Sequence, residues 1–151
     1  MIEPQLKDDA LLADVDSARA DATPGRLHLW WLGQSGFLLM HAGECLLFDP
    51  YLSDSLTKKY AATDKPHVRM TARVVDPSRL DFVQVVTSSH NHTDHFDPDT
   101  LQPLLAASSR ARLVLPAANV ALAESRLGPG YAPRFVPLAE GGSVTLGAFR
   151  L

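Results

Sequence analysis

Three histidines and an aspartate lie within residues 90–95, which read H-N-H-T-D-H. Neutral imidazole nitrogens and carboxylate oxygens are both donors that suit divalent metal ions. His90 and His92 are two residues apart, so in an extended chain their side chains point to the same side and can bind one ion. If the chain turns just before Asp94, then Asp94 and His95 face a second position. The pattern predicts two ions about 3.5–4 Å apart that hold a shared hydroxide for hydrolysis.

Asp94 has a second predicted role. Its carboxylate would be the nearest acceptor for a proton of the attacking water, so we expect Asp94 to be a catalytic residue as well as a metal ligand. The alternative is a solvated polar loop in which the histidines are incidental, but four ligand side chains at such tight spacing favour the metal site.

A strand before the loop and a helix after it are predicted to hold these side chains. Residues 82–86 have strand character and lead directly into the loop. Asp97 is in the position of a helix N-cap, and Pro98 suits the first helical position. The apolar face of that helix would consist of Leu101, Leu104 and Leu105.

The rest of the chain predicts a mixed β-sheet covered by helices, in the α/β (α+β) class. Residues 51–81 are irregular, and a loop of this length is either functional or contains structure that the pattern does not reveal. Residues 1–25 are predicted to form an N-terminal helical extension of a domain over 26–151. Apolar patterns predict helices within 5–20 and 117–127, and strands at 27–31, 37–40, 45–48, 112–115, 135–136 and 144–151.

Composition narrows the classes of function. The chain has 151 residues and a net charge of −3, with no basic patch for nucleic acid. No apolar run approaches the ~20 residues that span a bilayer, and the acidic N-terminus does not resemble a secretory signal. Cys45, the single cysteine, is predicted to be a buried strand residue. We therefore expect a cytoplasmic protein with a small-molecule substrate.

The 90–95 motif resembles that of the metallo-β-lactamase superfamily. Residues 30–37 (WWLGQSGF), 48–50 (FDP) and 81–83 (DFV) further resemble the L-ascorbate-6-phosphate lactonase branch. The resemblance implies a sandwich of two sheets flanked by helices, αββα, and hydrolysis of an ester, lactone or phosphodiester bond. It also implies that His90 and His92 bind the first metal and that Asp94 and His95 bind the second, with zinc or manganese as the ion.

The chain departs from that family after the motif. The family has further ligands downstream, including two histidines, but the other histidines here are His28, His41 and His67, all upstream. We therefore expect this chain to be the N-terminal half of an αββα enzyme, inactive alone and prone to self-association through apolar surface and unpaired strand edges.

Some functional assignments stay open at this point. The resemblance suggests that Asp49, which ends a strand before Pro50, orients a ligand histidine, although a plain turn residue is nearly as good an interpretation. A nuclease or phosphodiesterase of the same superfamily, and a metal-binding module without turnover, are alternatives to the lactonase-like hydrolase. Basic residues before the motif are either a solvated surface or the binding groups for an anionic substrate; they are Lys58, Lys59, Arg69 and Arg73.

Overall fold

The computed structural model describes residues 1–21 and 23–151. The described part of the chain contains α-helices, β-strands and three short 3₁₀ helices, the last at Pro77–Arg79, Ala117–Asn119 and Pro129–Arg134. The helices and strands, in chain order, are α1 (Asp9–Arg19), β1 (Leu27–Trp31), β2 (Phe37–His41), β3 (Glu44–Phe48), α2 (Ser55–Tyr60), β4 (Val85–Thr87), α3 (Pro98–Ala107), β5 (Arg112–Pro116), α4 (Val120–Leu127), β6 (Phe135–Leu138), β7 (Thr145–Leu146) and β8 (Phe149–Arg150).

The first six strands form one sheet in sequence order. Strands β1 to β3 are antiparallel, and β3 to β6 are parallel. In the parallel part, Val86 pairs with Leu47 on one side and with Leu113 on the other. Parallel strands end at the same edge, so the residues that follow β3, β4 and β5 meet there.

Helices cover one face of this sheet and form the main core. Leu101, Leu104 and Leu105 of α3 are fully buried, and they belong to the same cluster as Leu47 and Val86. Leu11 and Val15 of α1 are part of this core as well. The mixed α/β architecture predicted from the sequence is confirmed, and α3 begins at Pro98 as predicted.

The other face of the sheet is less covered. It contains a smaller cluster of Leu46, Val85 and Val114, against which the β7–β8 hairpin packs. Farther along, several apolar residues remain exposed to solvent: Leu27, Leu29, Trp31, Phe37 and Phe48. Among the described residues no helix has both the length and the apolar character required to cross a bilayer.

Two predicted strands have different bounds in the structure. The strand expected at 82–86 begins only at Val85, because Phe82 still lies in a turn, in which the Val83 N–H donates to the Leu80 carbonyl at 3.3 Å. The strand expected at 144–151 is a hairpin that reverses at Gly147, where φ is +57°. The carboxylate of Glu44 accepts the backbone N–H of Ala148 at 2.6 Å and attaches the hairpin to β3.

Residues 51–81 contribute to the core rather than forming a solvated loop. Tyr51, Leu52, Val75 and Leu80 have essentially no exposed surface. Apart from α2 the segment has little regular structure, so its pattern gave no sign of this burial. Cys45 is buried in β3 as predicted, and burial raises the pKa of its thiol.

Candidate metal centre

The histidine loop lies at the carboxyl edge of the sheet, between β4 and α3. The Ser88 N–H donates to the carbonyl of Val114 at 2.9 Å, which continues the parallel pairing one residue beyond β4. The chain then turns, and the His92 carbonyl accepts the N–H groups of His95 at 3.0 Å and Phe96 at 2.6 Å. This turn brings His95 back toward the residues that precede it.

The four predicted ligand side chains converge. Donor atoms of His90, His92 and Asp94 all lie within 4.8 Å of one another. The His90 ring centroid is 4.7 Å from that of His92 and 4.0 Å from that of His95. Nε2 of His95 is 3.6 Å from Oδ2 of Asp94, so this carboxylate is close to His95 as well as to the first two histidines.

Asp49 supports the loop from the end of β3. Its Oδ2 accepts a hydrogen bond from Nδ1 of His95 at 2.7 Å, which leaves Nε2 of that ring free to bind a metal. Oδ1 accepts from the Thr87 hydroxyl at 2.6 Å, and Ser89 donates both its N–H and its hydroxyl to this carboxylate. The residue is only 3% exposed, so nearly all of its hydrogen bonding is internal.

Burial by itself would raise the pKa of the Asp49 carboxyl. The hydrogen bonds from Ser89, Thr87 and His95 outweigh that effect and hold its pKa below the usual range. The carboxylate is therefore the stable form, and an ionised acceptor favours the tautomer of His95 with its proton on Nδ1.

The backbone at Asp49 is held in an uncommon conformation. Its φ is +43°, a left-handed value that costs a non-glycine residue conformational energy. The opposite turn fits closely against it, because a Cβ added at Gly36 would lie 2.9 Å from the Asp49 carbonyl oxygen. This close approach requires glycine at position 36 and helps to keep Asp49 in place.

Potential ligand atoms of Asp49, His90 and His95 also lie within 4.8 Å of one another. We nevertheless assign Asp49 to the support of His95, because its oxygens already accept hydrogen bonds from Thr87, Ser89 and His95. The histidine nitrogens and the Asp94 carboxylate fit a divalent ion both in chemistry and in spacing.

Several supporting residues were not identified from the sequence. The Ser89 hydroxyl lies 3.1 Å from Nδ1 of His90, and the Ser88 hydroxyl donates to the His90 carbonyl at 2.9 Å. Ser35 donates its hydroxyl to the Asp94 carbonyl at 2.9 Å. The run of hydroxyl residues at 87–89, just before the histidines, was a usable signal for the first two, whereas Ser35 is too distant in sequence to be found.

Two of the basic residues before the motif, Arg69 and Arg73, interact with other parts of the chain. Arg69 is 3% exposed and donates to the carbonyls of Thr71 at 2.7 Å and Ser53 at 2.6 Å, so its suggested role in substrate binding is wrong. Burial lowers the pKa of this guanidinium. Arg73 lies 3.5 Å from Asp76 at the surface.

One residue near the loop differs from the sequence interpretation, and another was not identified from the sequence. Asp97 precedes α3 but makes no side-chain cap; it accepts hydrogen bonds from the hydroxyls of Ser55 and Thr100 instead. Arg126 of α4 is exposed beside the loop, with Nη1 at 3.4 Å from the Asn91 carbonyl.

Comparison with known families gives one broad match. The family model for the beta-lactamase superfamily domain matches residues 28–151. A UPF0173 metal-dependent hydrolase of Azorhizobium caulinodans is 29% identical over 123 residues, which are 82% of this chain and 45% of that protein. A probable L-ascorbate-6-phosphate lactonase UlaG of Escherichia coli O127:H6 is 29% identical over 90 residues, 49% of this chain and 25% of that protein. The chain thus spans less than half the length of these curated relatives.

Solved structures share the fold. The diiron β-hydroxylase CmlA from Streptomyces venezuelae matches with a TM-score of 0.56 and 21% identity, over 86% of this chain and 24% of that chain. The apo state of the chemotaxis sensor ODP from T. denticola matches with a TM-score of 0.52 and 17% identity, over 82% of this chain and 46% of that chain. At these identities the likeness concerns the fold alone.

Proposed function

Because this chain belongs to the beta-lactamase superfamily domain family, we propose that it carries the metal-binding loop of a metal-dependent hydrolase that cleaves an ester, lactone or phosphoester bond. The membership confirms the resemblance inferred from the histidine motif. The observation that carries the proposal is the convergence of His90, His92, Asp94 and His95, with His95 oriented by a buried carboxylate.

We assign the residues as follows. His90 and His92 bind a first ion, and Asp94 and His95 bind a second. Asp49 holds His95 with its Nε2 toward the metal, an outer interaction that typically changes metal affinity 10–100-fold. When bound, the ions supply a water of lowered pKa and polarise the bond to be cleaved. We propose that the Asp94 carboxylate would also accept a proton from the attacking water.

We propose zinc or manganese as the bound ion, with iron as an alternative. Imidazole and carboxylate donors without thiolate suit zinc and manganese, and both are compatible with the relative described as a metal-dependent hydrolase. The structural neighbour CmlA is described as a diiron enzyme, so iron belongs in the same comparison.

A lactonase-like specificity is supported by the relative named as a probable L-ascorbate-6-phosphate lactonase. We propose an anionic small-molecule substrate, with the exposed Arg126 beside the loop as a group that attracts it. An open cavity of about 570 Å³ borders the loop at Ser89 and is lined mainly by apolar groups, including Val114 and Leu138, which suits the uncharged part of such a molecule.

We also propose that the 151-residue chain self-associates and that the protein acts in the cytoplasm. The apolar residues exposed on the outer face of the sheet, such as Leu29 and Trp31, support association between copies of the 151-residue chain. Light scattering over a range of concentrations measures it, and a monodisperse monomer would contradict it.

The proposed activity is tested by loading the protein separately with zinc, manganese and ferrous iron. Bound metal is measured by mass spectrometry, and hydrolysis is measured on lactones, carboxylic esters and phosphoesters. In a full-length parent enzyme that contains this chain, we expect at least one metal to support turnover that a chelator abolishes and that His90→Ala and His92→Ala each remove. Turnover that survives both chelation and these substitutions would contradict a metal-dependent reaction at this loop.

A further inference from the structure

The turn between β1 and β2 reaches across to the histidine loop. The Ser35 hydroxyl donates to the backbone carbonyl of Asp94 at 2.9 Å, although the two residues are 59 positions apart. This contact lies at a proposed ligand whose own carboxylate accepts no hydrogen bond in the described part of the chain. The Asp94 side chain is 44% exposed.

Two of the other proposed ligands are held through their ring nitrogens. Nδ1 of His95 is bonded to Asp49, and Nδ1 of His90 lies 3.1 Å from the Ser89 hydroxyl. Asp94 lacks such a contact, so the direction of its carboxylate depends on how its backbone is fixed. Ser35 makes the side-chain hydrogen bond that fixes the Asp94 carbonyl.

The turn that carries Ser35 is itself firmly attached. The Gln34 N–H donates to the Thr71 hydroxyl at 2.9 Å, and the Gln34 side-chain oxygen accepts the Met70 N–H at 3.0 Å. Gly33 has a φ of +75°, and a Cβ there would lie 2.5 Å from the Thr71 hydroxyl oxygen. Gln34 also has a positive φ, of +50°. A residue in this strained conformation persists only where its surroundings hold it.

The turn is also connected, through Thr71, to the buried guanidinium of Arg69. Arg69 donates from Nε to the Thr71 carbonyl at 2.7 Å and from Nη1 to the Ser53 carbonyl at 2.6 Å. It thereby joins residues 69–71 to the segment that follows Asp49. A continuous series of hydrogen bonds and backbone links therefore runs from this buried guanidinium, through Thr71 and Gln34, to Ser35 and the metal loop.

We propose that Ser35 is a positioning residue for Asp94, acting through the backbone carbonyl to aim the Asp94 carboxylate at the second metal position. The proposal rests on the function proposed above. Without the Ser35 hydroxyl, the peptide after Asp94 is held, within the described chain, only by the His95 N–H, which donates to the His92 carbonyl at 3.0 Å. The Asp94 carbonyl is then less firmly fixed, and the carboxylate samples a wider range of directions. The proposal concerns metal affinity first, and activity only through it.

The test compares three variants by zinc competition against a chromophoric chelator and by unfolding of the metal-free protein. Ser35→Ala removes the donor, and Ser35→Thr keeps it. Ser17→Ala is the matched control, because Ser17 also donates to a backbone carbonyl, that of Ala13 at 2.8 Å, but far from the loop in α1. We expect Ser35→Ala to weaken one of two zinc-binding steps about tenfold, at the low end for such outer contacts. Ser35→Thr should stay within about threefold of wild type, and Ser17→Ala should leave zinc binding unchanged.

A further variant keeps the proposal testable if Ser35→Ala folds poorly. Thr71→Val removes the acceptor for the Gln34 N–H and leaves the Ser35 hydroxyl in place, so we expect a smaller loss at the same zinc step. Zinc affinity within twofold of wild type in both Ser35→Ala and Thr71→Val would overturn the proposal, and so would an equal loss in Ser35→Ala and Ser35→Thr. A wild-type protein that binds no zinc, manganese or iron would instead refute the proposed function itself.

Discussion

Replacing Asp49 by asparagine changes one atom of a buried side chain and removes its charge. In the wild-type protein, the Asp49 carboxylate accepts hydrogen bonds from Thr87, Ser89 and His95. An amide has one accepting oxygen and one donating nitrogen. Whichever way it is turned, the NH₂ group faces at least one N–H donor, either that of His95 or the backbone N–H of Ser89, and neither can become an acceptor without rearrangement.

The expected effect on stability follows from those contacts. A hydrogen bond to a charged group contributes about 1.5–3 kcal/mol, so the loss of two of them in a site this buried should cost about 3–5 kcal/mol of unfolding free energy. Metal binding should suffer separately. If the asparagine NH₂ donates to Nδ1 of His95, the ring proton moves to Nε2, and that nitrogen can no longer bind an ion. We expect metal affinity to fall 10–100-fold.

The effects of Asp49→Asn on stability and on metal binding are measured separately. Urea unfolding of metal-free protein gives the stability loss, chelator competition gives the metal affinity, and ¹⁵N NMR of the imidazole rings gives the tautomer of His95. Asp97→Asn is the matched control, because Asp97 is an equally buried carboxylate that accepts from the hydroxyls of Ser55 and Thr100. Those hydroxyls can rotate to accept from an amide, and neither contacts a metal ligand.

We therefore expect Asp97→Asn to cost about 1–3 kcal/mol of stability and to leave metal affinity within about threefold. The reasoning is refuted if Asp49→Asn binds metal as tightly as wild type with the His95 tautomer unchanged. It is equally refuted if Asp97→Asn reduces metal affinity as much as Asp49→Asn, because a general loss of packing would then account for both.

Three further predictions concern other parts of the molecule. In a full-length parent enzyme, Asp94→Asn should reduce turnover at saturating metal far more than it reduces unfolding free energy, and a wild-type kcat would contradict the two-metal assignment. Hydrogen bonds from Ser78 lower the pKa of Asp76. The carboxylate therefore stabilises the fold fully above its unfolded pKa of about 3.9, and this stabilisation is lost as pH falls through the lower folded value. Asp76→Asn should reduce the unfolding free energy by about 0.5 kcal/mol at pH 7 and flatten its acid dependence, as measured by urea titrations. Gly36→Ala should destabilise by about 2 kcal/mol or more and weaken metal binding, since φ is +98° and the added Cβ meets the Asp49 carbonyl; a thermal midpoint equal to wild type would refute this.

Features encoded by neighbouring residues could be predicted from the sequence. The 90–95 spacing indicated which side chains converge, because residues two apart in extended chain and a following turn are local geometry. Pro98 marked the start of α3, and Gly128, with a φ of +98°, marked the end of α4. Alternating apolar residues likewise placed β1 within its observed bounds.

Features that depend on distant partners could not be predicted. Arg69 looked like a surface cation because arginine is rarely buried, and its burial depends on carbonyls of Ser53 and Thr71 that only the folded chain turns inward. The sequence likewise does not show that Trp31 is 58% exposed, which follows because its face of β1 has no covering layer in the described chain. The reversal at Gly147 was missed because the flanking residues are apolar on both sides.

The proposed metal site is better understood as a property of the sheet edge than of the loop alone. Each support comes from a different strand end: Asp49 follows β3, Ser89 follows β4, and Ser35 lies in the turn between β1 and β2. These supports meet only if the strands keep their register, because a shift of one residue would move every side chain of a strand to the opposite face. The register is in turn set by the buried pairs in the sheet, such as Leu47 with Val86. The positions of the proposed ligand residues therefore depend on apolar packing in the sheet as well as on the hydrogen bonds of the loop.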